Sequence, residues 1–106
     1  AGRFAQRTPL GVEVPFLMRR GPHVLRGRID AVYAWPKDAL QYLVVDWKTS
    51  TKAADPLQLA VYRQAWAEAR GVDPSVVGAA FYHVLTDHLR FVEAPVELID
   101  QALEVQ

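Results

Sequence analysis

A single well-delimited helix between two apolar segments is the feature that most constrains the fold of this 106-residue chain. Residues 55–70 carry helical spacing, Asp55 can cap the first turn, and Gly71 can end the helix in a left-handed conformation. The flanking segments 41–48 and 76–85 are apolar and short enough to be buried strands. The pattern therefore predicts a helix that crosses over one face of a sheet.

Four further segments complete the predicted order of elements. Residues 12–18 and 23–34 are typical of strands, 88–93 returns as the hairpin partner of 76–85, and 96–105 is typical of a final helix. The order is β-β-β-α-β-β-α. We therefore predict an α/β domain of the α+β kind, with a mixed central sheet of about five strands flanked by helices.

Composition places the chain among ordinary globular proteins, with 51% hydrophobic and 23% charged residues. Its length suits one domain, so we expect 1–106 to be a single unit. The absence of cysteine excludes disulfides and cysteine-held iron–sulfur clusters. No apolar run is long enough for a membrane span and no secretion signal is visible, so we expect a bacterial cytoplasmic protein.

The charges are unevenly distributed although the formal net charge is zero. Residues 1–54 contain nine Lys or Arg and four Asp or Glu, whereas 55–106 contain three and eight. The basic half could face a phosphate backbone. Uneven scatter in a short chain is the alternative explanation.

The second predicted strand carries polar residues on one side. Strict alternation would place Arg26, Arg28 and Asp30 on one face, and would place on the other a core-facing set of Leu25, Gly27, Ile29, Ala31 and Tyr33. Arginines on the face of Asp30 would be suited to gripping phosphates near it.

The third predicted strand carries Asp46 and Lys48, two residues apart and on one face. A hairpin between the second and third strands would bring Asp30 close to Asp46. Two carboxylates held together repel, and a divalent cation with oxygen ligands, Mg²⁺ or Mn²⁺, would offset that repulsion. Lys48 could then hold or deprotonate a water that attacks a phosphodiester. An Asp-x-Lys triplet alone is weak evidence for such a site, because an exposed Asp–Lys pair usually lies on a solvated strand edge.

Three motifs in order resemble those of RecB-like nucleases within the PD-(D/E)XK superfamily. They are Gly27-Arg28-Ile29-Asp30, Val44-Val45-Asp46-Trp47-Lys48-Thr49 and Gln58-Leu59-Ala60-Val61-Tyr62. The resemblance implies a restriction-endonuclease-like core of the kind attached to RecB-, UvrD- and AdnB-type helicases. It also implies that the chain is a fragment lacking an N-terminal helix, with the helicase outside it.

The resemblance assigns roles to residues of the three motifs. Asp30 and Asp46 would bind the metal, assisted by the backbone carbonyl of Trp47, and Lys48 would be the catalytic lysine. On the helix, two residues would orient the lysine region or contact DNA: Gln58 and Tyr62. Glu13 matches a glutamate often found on the first strand of the family.

Three functional interpretations follow. The first is a Mg²⁺- or Mn²⁺-dependent DNA nuclease of repair or recombination, as an exonuclease or an endonuclease. The second is a catalytically inactive DNA-binding or docking domain of a helicase–nuclease complex. The third is a structural module with accidental motif matches. The sequence does not decide between DNA and RNA, because discrimination of the 2′-OH depends on geometry.

Overall fold

The computed structural model describes residues 7–49 and 55–104. The strands are β1 (Gly11–Arg20), β2 (His23–Ala34), β3 (Tyr42–Lys48), β4 (Val77–His83) and β5 (His88–Phe91). The helices are α1 (Pro56–Arg70) and α2 (Glu97–Glu104), with short 3₁₀ turns at Pro74–Val76 and Val84–Thr86. Within these ranges no helix is long and apolar enough to cross a membrane.

The five strands form one mixed sheet in the order β1-β2-β3-β4-β5. Neighbouring strands are antiparallel except for β3 and β4, which run parallel and are connected through the crossover helix α1. The predicted fold class and element order are therefore confirmed. The strand predicted over 76–85 ends earlier, at His83, because the chain turns through Val84–Thr86 and Asp87 adopts a left-handed conformation (φ 51°).

Helix α1 begins and ends where its sequence predicts. The side chain of Asp55 accepts a hydrogen bond from the backbone N–H of Leu57 at 2.9 Å, which satisfies one of the free donors of the first turn. At the other end Gly71 adopts a left-handed conformation (φ 68°), and its N–H bonds back to the last turn. Both ends are thus fixed by local chemistry, and the helix can present one face to the sheet.

The main core lies between the sheet and the two helices. It is built from fully buried residues of α1, α2 and four strands, among them Ile29, Val32, Val44, Leu59, Val77, Phe81 and Ile99. The opposite face of the sheet carries a smaller cluster of Ala31, Tyr33, Leu43, Val45, Ala80 and Tyr82. We call these the helix face and the open face of the sheet.

Arg63 of α1 ties the helix to two other parts of the chain. Its guanidinium donates to the backbone carbonyls of Val77 and Ala94, both at 2.6 Å, and of Pro74 at 2.7 Å. Burial lowers the pKa of Arg63 from its usual value, opposed by the nearby carboxylates of Glu93, Glu97 and Asp73. The charged donor therefore ties α1 to the segment that leads into β4 and to the segment that follows β5.

Alternation along β2 is not strict, and the predicted core-facing set of that strand is wrong in part. Ile29 packs on the helix face, whereas Ala31 and Tyr33 pack on the open face. The offset coincides with Glu13 of β1, which adopts a left-handed conformation (φ 46°). Pairing between β1 and β2 is interrupted at Glu13 and Asp30, while the register on either side is unchanged. The irregular backbone rotates β2 at this point. Odd-numbered side chains face the helices before Asp30 and the open face after it, and even-numbered side chains do the reverse.

Candidate active site

The two aspartates lie where the sheet divides. Strands β2 and β3 pair only over Ala31–Ala34 and Tyr42–Val45. On the N-terminal side of Ala31, β2 pairs with β1 alone. On the C-terminal side of Val45, β3 pairs with β4 alone. Asp30 and Asp46 are the first residues past the last shared pair, so they stand opposite each other at the start of this fork. The predicted proximity of the two residues is confirmed.

Asp30 is held by contacts from the other side of the fork. Its Oδ2 accepts a hydrogen bond from the backbone N–H of Trp47 at 2.9 Å, and its carboxyl group hydrogen-bonds that of Asp46. Burial and the bond to Asp46 raise the pKa of Asp30 to about 6, with a smaller contribution from the negative charge of Asp46. The Trp47 N–H and the charge of Lys48 act in the opposite direction. Without a metal, the carboxyl group of Asp30 therefore keeps its proton up to mildly acidic pH.

Asp46 is the buried member of the pair, with 6% of its surface exposed. Its Oδ2 lies 3.1 Å from Nζ of Lys48, whose side chain is partly exposed. Nζ also lies 5.6 Å from the centre of the buried Phe81 ring. Asp46, Lys48 and Val44 belong to the helix face, as predicted from their spacing in β3. The lysine is thus anchored beside the carboxylates with one side open to solvent.

Tyr62 and Gln58 border the carboxylates from α1. Tyr62 is almost fully buried, and its hydroxyl hydrogen-bonds the exposed side chain of Gln58. Burial raises the pKa of Tyr62 to about 12, and the charges of Asp30 and Asp46 add to this rise while the Gln58 bond opposes it. Tyr62 is therefore both a core residue, with the Phe16 ring 6.2 Å away, and a neighbour of the charged site.

Glu13 faces Asp30 in the β1–β2 register, at the point where pairing is interrupted. Its side chain is exposed. Over residues 7–49 and 55–104, no cluster of three or more Asp, Glu or His side chains is arranged to hold a metal ion. The carboxylates that meet at the fork are those of Asp30 and Asp46.

Arg26 and Arg28 do not share a face with the site, and the prediction that they do is wrong. Both alternate with Ile29, which packs on the helix face, so their side chains leave from the open-face side of β2. A Cβ at Gly27 would lie 3.0 Å from the Phe16 ring, which packs against Tyr62 of α1. The odd-numbered residues of this part of β2 therefore face the helices. The offset at Glu13 and Asp30 separates the arginines from the carboxylates.

Sequence reasoning missed three neighbours that strand pairing supplies. Phe81 is in register with Asp46, and Arg90 of β5 lies with its guanidinium 5.2 Å from the Phe81 ring centre. His83 is in register with Lys48 and stacks on the His88 ring at a centroid distance of 6.1 Å. The signal for Phe81 and His83 lies in the parallel β3–β4 pairing, and that for Arg90 and His88 lies in the antiparallel β4–β5 pairing as well.

The donor set of the fork suits a hard divalent cation. The negative charge of Asp46 helps to raise the pKa of Asp30, and a cation between the two carboxylates would offset that repulsion. Carboxylate oxygens are the ligands that Mg²⁺ and Mn²⁺ prefer. With Lys48 3.1 Å from Asp46, the arrangement places a positive donor beside the metal position.

The comparison with known families agrees with this geometry. Residues 2–105 match the model of the PD-(D/E)XK nuclease superfamily. The chain belongs to the PD-(D/E)XK nuclease superfamily, and its five-stranded mixed sheet with two helices is consistent with the restriction-endonuclease-like fold of that superfamily. A search of curated proteins found no significant match. Membership implies a phosphodiester hydrolase that acts on nucleic acid, in a superfamily whose nucleases generally use divalent metals.

Proposed function

We propose that the chain is a deoxyribonuclease that uses Mg²⁺ or Mn²⁺ to hydrolyse phosphodiester bonds in DNA. The observation that carries the proposal is the meeting of Asp30 and Asp46 at the fork, where Asp30 accepts the Trp47 N–H at 2.9 Å and Nζ of Lys48 lies 3.1 Å from Asp46. In this proposal Asp30 and Asp46 hold the metal. The backbone carbonyl of Trp47 is proposed as a further ligand, on the strand that already fixes Asp30 through its N–H.

The proposed division of labour follows from where each group lies. The metal, when bound, supplies positive charge that stabilises the phosphate oxygens as negative charge develops on them. Lys48 would position the attacking water or a phosphate oxygen, because Asp46 holds Nζ and solvent reaches its exposed side. Lys48 thus contributes a fixed donor whose orientation costs little at the moment of reaction.

Gln58 and Tyr62 are proposed as positioning residues. With a pKa of about 12, the Tyr62 hydroxyl stays neutral at physiological pH and adds no negative charge beside the carboxylates. Gln58 is exposed and lies one helical turn before Tyr62 on α1, so it can reach towards a bound DNA strand. The helix would in this way close one side of the cleavage site.

The wider biological setting is proposed from the resemblance to RecB-like nucleases. We place the activity in DNA repair or recombination, in the bacterial cytoplasm, with a helicase domain or subunit outside this segment as partner. The alternative is a DNA-binding or docking domain of such a complex that has lost catalysis. Intact Asp30, Asp46 and Lys48 favour the catalytic proposal, because a site that no longer works is free to lose any of them.

The test pairs two changes from carboxylate to amide. Asp46→Asn should reduce cleavage of a fluorescent DNA duplex in Mg²⁺ or Mn²⁺ by at least roughly 1,000-fold and abolish Mn²⁺ binding in titration calorimetry. Glu68→Gln, an exposed position on α1, should leave both unchanged. Undiminished cleavage by Asp46→Asn would reject the proposed site. DNA binding by the wild type without Mn²⁺ binding or cleavage would favour the docking alternative.

A further inference from the structure

Strands β1 and β2 extend beyond the fork as a two-stranded arm. From His23 to Arg28, β2 is paired with β1, and its pairing with β3 begins at Ala31. On the inner side of this arm, towards α2, Met18 is buried and Arg20 bonds to Asp100 at 2.9 Å. Its other side carries three cross-strand pairs, which we call the arginine face: Pro15 with Arg28, Leu17 with Arg26, and Arg19 with Val24.

The charge of the arginine face has one sign. It carries Arg19, Arg26 and Arg28, all exposed, and no acidic residue. Within the part of the chain that the structure describes, none of these arginines is in a salt bridge, in contrast to Arg20 on the inner side. Such an uncompensated cluster attracts a polyanion, because no internal carboxylate has to be displaced.

The shape of the face suits an extended ligand. Arg26 and Arg28 are two residues apart on one strand, so their Cα atoms lie about 7 Å apart along the arm. A shallow surface depression along these two strands is lined by Pro15, Phe16, Leu17, Arg26, Gly27 and Arg28, so it reaches the edge of the arginine face. Leu17 is 67% exposed and Val24 46%, so the arginines stand among aliphatic groups rather than in a charged pocket. Guanidinium groups bind phosphate oxygens in a bidentate manner, and the wide groove of duplex DNA admits a two-stranded ribbon.

We infer that the arginine face is a second DNA-contacting surface, which holds the phosphate backbone of duplex DNA at a distance from the metal position. The inference rests on the proposed function in that it takes DNA as the substrate. Arg28 precedes Asp30 by two residues, but the offset at Glu13 and Asp30 turns their side chains to opposite sides of the arm. Binding on this face therefore contributes affinity without entering the site of cleavage.

The experiment measures binding of a fluorescein-labelled 20-base-pair duplex in EDTA, where no cleavage occurs. Arg26→Ala/Arg28→Ala should weaken binding by at least roughly 10-fold and reduce the slope of log K against log salt by about 1.8. Adding Arg19→Ala should bring the reduction of the slope to about 2.7. Arg26→Lys/Arg28→Lys, which keeps the charge, should restore most of the affinity and separates loss of charge from loss of folding.

A matched control removes two positive charges elsewhere. Lys37 and Arg70 are exposed and lie outside the arm, and their double alanine variant should keep the salt slope of the wild type. An equal loss in this control would overturn the inference, because net charge alone would then explain the effect. Unchanged binding by the arginine variants, or an absence of DNA binding by the wild-type chain, would also overturn it.

Cleavage assays separate this inference from the proposed function. In Mg²⁺ or Mn²⁺, the Arg26→Ala/Arg28→Ala variant should need more DNA for half-maximal rate and keep the maximal rate of the wild type. A wild-type chain that binds through the arginines but does not cleave would refute the nuclease proposal and support the surface. A wild-type chain that cleaves, with arginine variants that bind normally, would refute the surface alone.

Discussion

The two sides of the fork differ in what their residues do for the protein. The arm of β1 and β2 has large exposed apolar and basic side chains. In β3 and β4, by contrast, most side chains are buried, among them those of Leu43 and Phe81. Lys48 and Asp46 belong to the buried side and contact each other, while Arg28 belongs to the arm and projects away. Under the proposed roles, β3 together with Asp30 at the base of the arm fixes the chemistry, and the rest of the arm supplies affinity.

The largest effect that would test this difference is expected at Lys48. Lys48→Met should lower the maximal cleavage rate by about 100- to 10,000-fold, because the ammonium beside Asp46 is lost while the carboxylates remain. Steady-state cleavage of a labelled duplex measures the effect, with the exposed Lys37→Met as control. If the Lys48 variant instead kept its maximal rate and bound DNA more weakly, the lysine would act as the arm arginines are proposed to act.

The next effect concerns stability. Arg63→Leu should reduce the free energy of unfolding by about 2–4 kcal/mol, because three carbonyls lose a charged donor in a partly buried setting. Arg19→Leu, the same change on the exposed arm, should alter it by about 0.5 kcal/mol or less. Urea unfolding followed by circular dichroism compares the two. Equal losses would contradict the view that stability is concentrated on the buried side.

The smallest effect concerns the pH dependence of the fork. Because the folded pKa of Asp30 is raised from 3.8 to about 6, wild-type stability without metal should fall as pH rises between these values. Asp30→Asn removes that penalty. After allowance for solvent screening, it should stabilise the metal-free protein by about 1–2 kcal/mol at pH 7.5.

Urea unfolding in EDTA at pH 7.5 and at pH 3.5 checks this expectation for Asp30. At the lower pH the carboxyl group is protonated in the folded state and mostly protonated in the unfolded state, so most of the advantage of Asp30→Asn should be lost. A variant that is less stable than wild type at pH 7.5 would contradict the expected penalty for ionising this partly buried carboxyl group.

Much of the fold was predictable because local signals agree with it. Asp55 and Gly71 delimit α1, and the apolar runs on either side of it become β3 and β4. The hairpin between β2 and β3 likewise follows from two strands separated by the turn after Trp35, and it accounts for the meeting of Asp30 and Asp46. These features depend on neighbouring residues, whose preferences can be seen in the sequence.

The parts that could not be predicted depend on backbone irregularity and on pairing between distant strands. Pro15 in the first strand favours an edge strand or a bulge. Glutamate seldom adopts a left-handed conformation, however, so the sequence does not locate at Glu13 the offset that moves Arg26 and Arg28 to the open face. The place of Arg90 beside Phe81 depends on two successive strand registers. The hydrogen bonds of Arg63 could not be predicted either, because the carbonyl groups that accept them lie 11 to 31 residues further along the chain.

The division of the sheet after Ala31 has a consequence for how such a protein can diversify. The hairpin that turns at Gly21 meets the rest of the sheet only near its base, so residues at its tip can be exchanged or lengthened with little effect on the packing around Phe81. If the arm contacts DNA as proposed, grafting a longer or differently charged hairpin at this position should alter substrate preference while leaving the reaction unchanged.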